Sequence, residues 1–325
     1  MIGGFMGLIE IRGLSKFYGT NAAVSDVSFN INEGEIVGLL GLNGAGKSTI
    51  LKILGTFLLP SSGEALMAGL SVEDDADQIR AMIGYLPDRP PLYDEMRVVP
   101  YLRFVARLKN VPKNSVDDRV RDVLGKTNLE EVAWQPLGEL SHGFRQRVGI
   151  AQALIHDPKI IILDEPINGL DPVQIVEMRD LILSLRGKHT VILSSHILSE
   201  ITRTCDRILI IDKGRLVAEG RESDLEQSFT RTMRVFVELV GQPRLEELRA
   251  VQGVRSVTAN VDAPSGGMRL IFECDDDARA RIARTVVNLG CELREIRREG
   301  DGLEALFMNL VRAGGHAVDQ GGSRE

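Results

Sequence analysis

Two short stretches hold residues whose types and spacing suit phosphate chemistry. In the first, Gly41-Leu42-Asn43-Gly44-Ala45-Gly46-Lys47-Ser48-Thr49 fits the pattern G-x-x-x-x-G-K-[ST]. It follows an apolar run, EIVGLL, and opens a helical run, STILKILGTF, which is the strand–loop–helix setting the pattern requires. Without a Cβ, its glycines let backbone N–H groups curl around phosphate oxygens. The helix start adds the positive end of its dipole. Lys47 suits the β- and γ-phosphates of a nucleotide, and the Ser48 hydroxyl suits Mg2+.

The second stretch, Ile160-Ile161-Ile162-Leu163-Asp164-Glu165, is an apolar strand ending in two carboxylates. Carboxylates at the end of a buried strand are costly unless they meet a cation or a reacting water. Asp164 suits a water-mediated contact to magnesium, and Glu165 suits the base that polarises an attacking water. A glycine-rich turn or an acidic strand end is ordinary by itself. The two together, about 115 residues apart in an alternating pattern, point to nucleotide chemistry.

Three further segments follow in order. Leu140-Ser141-His142-Gly143-Phe144 precedes RQRVGIAQAL, Asn168-Gly169-Leu170-Asp171 follows the acidic pair, and His196 closes the run TVILSS. Singly, an LSxG is a helix cap and a lone histidine is a surface or packed residue. In this order and spacing, residues 8–220 resemble the ATPase cassettes of ABC proteins, whose signature is usually written LSGGQ. The wording LSHGFRQRVGIAQALIHDP and IIILDEPINGLDP is similar to one branch, the ATP-binding subunits of ABC-2-type exporters. That branch includes gliding-motility ATPases and those serving copper-site maturation of nitrous oxide reductase.

The resemblance implies ATP and Mg2+ bound in a head-to-tail homodimer, or in a heterodimer with a second cassette. In it, Tyr18 stacks on adenine, while Ser141, His142 and Gly143 of one subunit close over the γ-phosphate held by the other. His196 holds that phosphate and orients Glu165 and water, and Asp171 links the two sites. The chain departs from the family's usual spelling at several points. Asp88, in Ile83-Gly84-Tyr85-Leu86-Pro87-Asp88, stands where the family usually has glutamine, and an acid there can still face magnesium or the water. His142 replaces a signature glycine, Phe144 its glutamine, and Ile167 the threonine that usually follows DEP. The implied partners are integral-membrane permease subunits, and the implied direction is export. The stretch Arg89–Tyr101, with Tyr93, Met96 and Val98, is expected to line the groove that receives a permease helix.

The elements that must position these residues read as α/β: a P-loop NTPase core with an antiparallel β subdomain and a helical insert. Strands are expected over 8–40, a mostly helical insert over about 89–140, and helix–strand alternation over 144–220. The continuous apolar strands IIIL, VIL and ILII indicate a buried, mainly parallel sheet. The ATPase domain is taken as 1–225 and a C-terminal accessory domain as 230–313. The latter reads βαββαβ, a small ferredoxin-like α+β unit, with a closing helix, GLEALFMNLVRAG. Residues 314–325 read as a disordered tail, and the opening MIGGFMGLIE as the ragged start of the first strand.

Composition excludes several classes. A formal net charge of -7 over 325 residues argues against a broad basic face for nucleic acid. Three scattered cysteines, none in a CxxC, argue against structural zinc and fit a reduced, cytoplasmic chain. No stretch approaches a membrane span, so a membrane process would need a membrane part borrowed from another chain. The resemblance implies a cytoplasmic place at the inner face of the cell membrane. Two rivals remain. A soluble ABC ATPase of nucleic-acid or translation work calls for tandem cassettes, zinc-binding cysteines or coiled-coil arms. A small-molecule kinase with a phosphate loop would not need the LSHGF segment.

Overall fold

The computed structural model describes residues 7–229, 233–260 and 267–298. It divides into two units, Met1–Gly220 and Arg221–Glu325, a boundary slightly ahead of the expected residue 225. In chain order the first unit begins β1 (Ile9–Tyr18), β2 (Asn21–Ile31), β3 (Ile36–Leu40), α1 (Lys47–Leu54), β4 (Ser62–Met67), β5 (Leu70–Ser71), α2 (Ala76–Met82) and β6 (Ile83–Leu86). It continues with α3 (Val98–Leu108), α4 (Val116–Lys126), α5 (His142–Leu154), β7 (Ile160–Leu163), α6 (Pro172–Ser184), β8 (Thr190–Ser195), α7 (Leu198–Thr204), β9 (Arg207–Asp212) and β10 (Arg215–Gly220).

Two sheets form. One is antiparallel, in the order β2-β1-β4-β5. The other runs β10-β9-β3-β8-β7-β6 and is parallel except for β10, which returns antiparallel on β9. The central strands β3, β7 and β8 are buried at every position, so IVGLL, IIIL and VIL run apolar without alternation, while β8 closes on two buried serines. Helix α1 buries Ile50, Leu51, Ile53 and Leu54 in the same core as Ile9 and Val27 of the antiparallel sheet and Ile160 and Ile192 of the parallel one. That shared core fixes the phosphate loop, which leads into α1, against both sheets.

The insert forms as helices α3 and α4 with short turns at Glu130–Val132 and Leu137–Glu139. Pro100 sits in the first turn of α3, where a missing N–H removes no helical bond. Val98 is fully buried at the start of that helix, so it anchors the insert and does not line a groove. Met96 is half-buried and its carbonyl accepts from the Leu137 N–H at 2.8 Å. Of the three expected groove residues, Tyr93 alone is exposed, its ring edge-on to Tyr101 and Phe104.

The second unit holds α8 (Glu222–Phe229), β11 (Met233–Val240), α9 (Leu245–Arg249), β12 (Val254–Asn260), β13 (Met268–Cys274), α10 (Arg279–Asn288) and β14 (Glu292–Arg298). Its sheet order, β12-β13-β11-β14 and antiparallel throughout, is the ferredoxin-like arrangement. Alternate residues Val235, Val237 and Leu239 of β11 face Leu248 of α9 and Ile282 and Val286 of α10 in one core. The expected closing helix, the tail 314–325 and the first six residues lie outside the described residues.

Candidate nucleotide site

The phosphate loop connects β3 to α1 across the C-terminal edge of the parallel sheet, the end at which open α/β folds bind ligands. Gly46 adopts φ +107°, and a Cβ there would lie 2.5 Å from the Ala23 carbonyl oxygen, so only glycine fits. Lys47 is buried. Its ammonium donates to the Gly41 carbonyl at 2.8 Å and the Leu42 carbonyl at 3.3 Å, and pairs with Glu165 Oε1 at 3.1 Å. The Ser48 hydroxyl donates to Asp164 Oδ1 at 3.0 Å.

Asp164 and Glu165 stand at the end of β7, next to β8 in the sheet. Asp164 is buried, which pushes its carboxyl above the usual range; hydrogen bonds from Ser194 and Ser48 oppose that shift, and the charges of Glu165 and Asp88 add to it. Glu165 lies in the left-handed region at φ +49°, a conformation that costs a non-glycine residue on the order of 1–3 kcal/mol and persists only where neighbours hold it. The Glu165 N–H donates to Ser194 Oγ at 2.8 Å, and the Asn168 N–H donates to the Glu165 carbonyl at 3.1 Å. His196 Nδ1–H donates to Glu165 Oε2 at 3.0 Å, so the two carboxylate oxygens are held by a lysine and a histidine.

Sequence reasoning passed over Ser194. It is fully buried in β8, accepts from the Glu165 peptide and donates to Asp164 Oδ1 at 2.7 Å. One hydroxyl thus braces both acidic residues. The signal available was a pair of serines closing an otherwise apolar strand just before His196.

Tyr18, Leu42, Asn43, Gly44, Ala45, Gly46, Lys47, Ser48, Thr49, Asp88, Asp164 and Glu165 together line one open cavity of about 810 Å³, with Asn21, Lys52, Arg89 and Asn168. Gly41 adjoins it through its carbonyl bond to Lys47. Tyr18 is half-exposed. The volume lies in the range of small-molecule sites. Ser141, His142, Gly143 and Asp171 do not line this cavity. Ser141 is the N-cap of α5, its Oγ accepting from the Phe144 N–H, and Asp171 is the N-cap of α6, accepting from the N–H groups of Val173 and Gln174. Gly143 packs so closely on α6 that a Cβ would meet the Gln174 amide at 2.5 Å.

With this geometry in place, likeness to known proteins decides the family. The family model described as "ABC transporter" matches residues 24–168. The chain is similar to the ABC transporter ATP-binding protein YxlF of Bacillus subtilis, 33% identical over 308 residues, covering 94% of this chain and 100% of that one. The chain belongs to the family of ABC transporter ATP-binding proteins. It is also 37% identical over 214 residues to the bacitracin transport ATP-binding protein BcrA of Bacillus licheniformis, covering 65% of this chain and 69% of that one. Among solved structures it resembles an ATP-binding subunit of an ABC transporter, at 32% identity and a TM-score of 0.63, over 69% of this chain and 93% of that one. It also resembles a dimeric ATP-binding cassette in a post-hydrolysis state bound to ADP and phosphate, at 27% identity and a TM-score of 0.61, over 66% of this chain and 98% of that one. As an ABC cassette the chain binds and hydrolyses ATP. No described helix is long and apolar enough to cross a membrane.

Proposed function

We propose that the subunit hydrolyses ATP in a head-to-tail dimer and drives the permease subunits of an ABC-2-type exporter at the cytoplasmic face of the membrane. One observation carries the reading. The signature turn, with Ser141 and His142 exposed at the start of α5, lies outside the cavity lined by its own Lys47, Asp164 and Glu165. A helix N-terminus not used by its own nucleotide is open to the phosphates of a second subunit. Twofold symmetry then completes two sites at once.

Within each site, Lys47 and the loop N–H groups bind the phosphates, Tyr18 covers the adenine, and Glu165 takes the proton of the attacking water. His196 holds Glu165 and approaches the γ-phosphate, and Asp171 lies at the seam between sites. The Ser48 hydroxyl and the buried Asp164 carboxylate are hard oxygen donors that suit Mg2+, with Asp88 as a further acid on the same cavity. When bound, the ion draws off charge from the β- and γ-phosphates.

Docking has its own support. A second cavity of about 360 Å³ is lined by Phe57, Tyr85, Pro91, Val105, Lys109 and His156, where the insert meets the core. Lys52 and Pro87 line both this cavity and the nucleotide cavity, so the two cavities adjoin through these residues. Tyr93, Phe104 and Leu108 add exposed apolar surface on the insert. A short permease helix suits such a groove, and the second unit serves as the subunit's accessory domain.

The test is oligomeric state. Glu165→Gln, saturated with ATP and Mg2+, should elute as a dimer, and adding Ser141→Arg in the same chain should return it to monomer. A Glu165→Gln chain that stays monomeric at high protein concentration overturns the reading, as does a dimer indifferent to Ser141→Arg.

A further inference from the structure

We propose that His142 is a positioning residue that ties the two nucleotide sites together, transmitting closure of the signature turn on one ATP to the catalytic carboxylate of the other site. The inference rests on the sandwich reading and goes beyond it, because it concerns a bond within one subunit.

His142 is the first residue of α5, between Ser141 and Gly143, on the turn that would face the partner's phosphates. Its Nε2 lies 3.0 Å from the Asn168 carbonyl oxygen. A carbonyl only accepts, so Nε2 carries the proton and donates. Asn168 lines the subunit's own nucleotide cavity, and its N–H donates to the Glu165 carbonyl at 3.1 Å. The path is therefore imidazole to the Asn168 carbonyl, then the Asn168 N–H to the Glu165 carbonyl. One end faces the neighbour's ATP and the other faces this subunit's own.

The end that matters is held under strain. Glu165 sits at φ +49°, so its backbone depends on its bonded neighbours to stay there. Gly169, next in the loop, is at φ +74° and lies against the same imidazole, 3.4 Å from where its Cβ would be. Movement of the signature turn as it closes on the partner's nucleotide pulls on Asn168 and so resets Glu165. A glycine in place of His142 offers no side-chain donor, so this link belongs to the chain's own spelling, LSHGF.

The readout is the dependence of ATPase rate on ATP concentration for the full-length chain with Mg2+. The wild type should show a Hill coefficient between one and two, and His142→Ala should lower it toward the value that ATP-driven dimer formation alone imposes. His142→Gln, whose terminal amide N–H has similar reach and donates to the same carbonyl, should restore it. His142→Gly serves as a second deletion of the bond should the alanine variant fold poorly by thermal melting. A non-cooperative wild type, a Hill coefficient unchanged in both deletions, or a glutamine variant as impaired as alanine overturns the proposal. The dimer assay separates the two readings. If Glu165→Gln forms the ATP-bound dimer while the Hill coefficient ignores His142, only the coupling fails. If no dimer forms, the sandwich and the coupling fail together.

Discussion

Lys47 Nζ lies 3.1 Å from Glu165 Oε1, so the cation suited to phosphate is engaged by the carboxylate suited to water. Both groups are largely buried, which keeps the pair from being screened away. On the proposed reading, ATP parts them as it enters and frees Glu165 to meet a water. That reading makes nucleotide binding and arming of the base one event, and the Glu165→Gln variant tests it.

Glu165→Gln removes the negative partner but keeps the shape. Lys47 then has no carboxylate to leave, so ATP should bind several-fold more tightly in a fluorescent-nucleotide titration. Single-turnover hydrolysis should slow by about 10²–10⁴, the usual contribution of a general base. Affinity unchanged or weakened would show that the ion pair does not oppose the nucleotide.

Ser194→Ala removes the hydroxyl that holds both acids. The Glu165 N–H loses its acceptor and Asp164 a donor, in a place without exposure to solvent. An unsatisfied buried group costs about 1–3 kcal/mol, which should appear as a lower denaturant midpoint. Turnover should fall more than ATP binding, because Glu165 loses the bond that holds its backbone. A variant with wild-type kcat and midpoint would contradict the bracing role.

Phe104→Glu places a charge on the exposed apolar surface that Tyr93 and Phe104 share. Co-purification with the permease should be lost while the ATPase rate of the isolated subunit stays within about twofold, as expected for a surface substitution. Normal permease binding would move the docking surface elsewhere.

His156 sets a pH dependence. Its Nε2–H donates to the Ile83 carbonyl at 3.0 Å, and burial, followed by the nearby charge of Lys109, pushes the imidazole down to about 4. Between pH 4 and about 6.5 the unfolded chain binds a proton here that the folded chain does not. Stability should therefore fall as pH drops from 6.5 toward 4, by linkage. His156→Gln, which keeps a donor and cannot titrate, should lose less of its denaturant midpoint over that interval. Parallel losses in both proteins would assign the effect to other groups.

What could be read from sequence follows how local each feature is. The phosphate loop spans nine consecutive residues, and the acids end one strand, so their chemistry was visible without a fold. Ser194 was not, because its role exists only where β8 lies beside β7. Val98 read as a groove residue because its apolar character does not say whether it turns inward, and packing beneath α3 decided that. The stretch 62–86 was read only in its last strand. The first three residues of β4 are exposed and α2 buries Ile79 alone, so neither shows a clear apolar period. His142 stood out as an odd letter in a familiar word, but its bond to Asn168 joins segments 26 residues apart.

The strand order has a consequence for how the protein is made. β3, which ends at Leu40 and carries the phosphate loop, is flanked by β8 and β9, and these begin at Thr190 and Arg207. At about 5–20 residues per second, the ribosome adds the intervening stretch of about 150 residues in roughly 8–30 s. For that interval both edges of β3 lack their partners, and the loop lacks the strands that flank β3. A ligand stabilises only the conformation it binds, so ATP cannot favour the nascent chain until the last third of the cassette has emerged. A ribosome stalled between residues 41 and 190 holds a chain in which β3 has neither of its neighbouring strands.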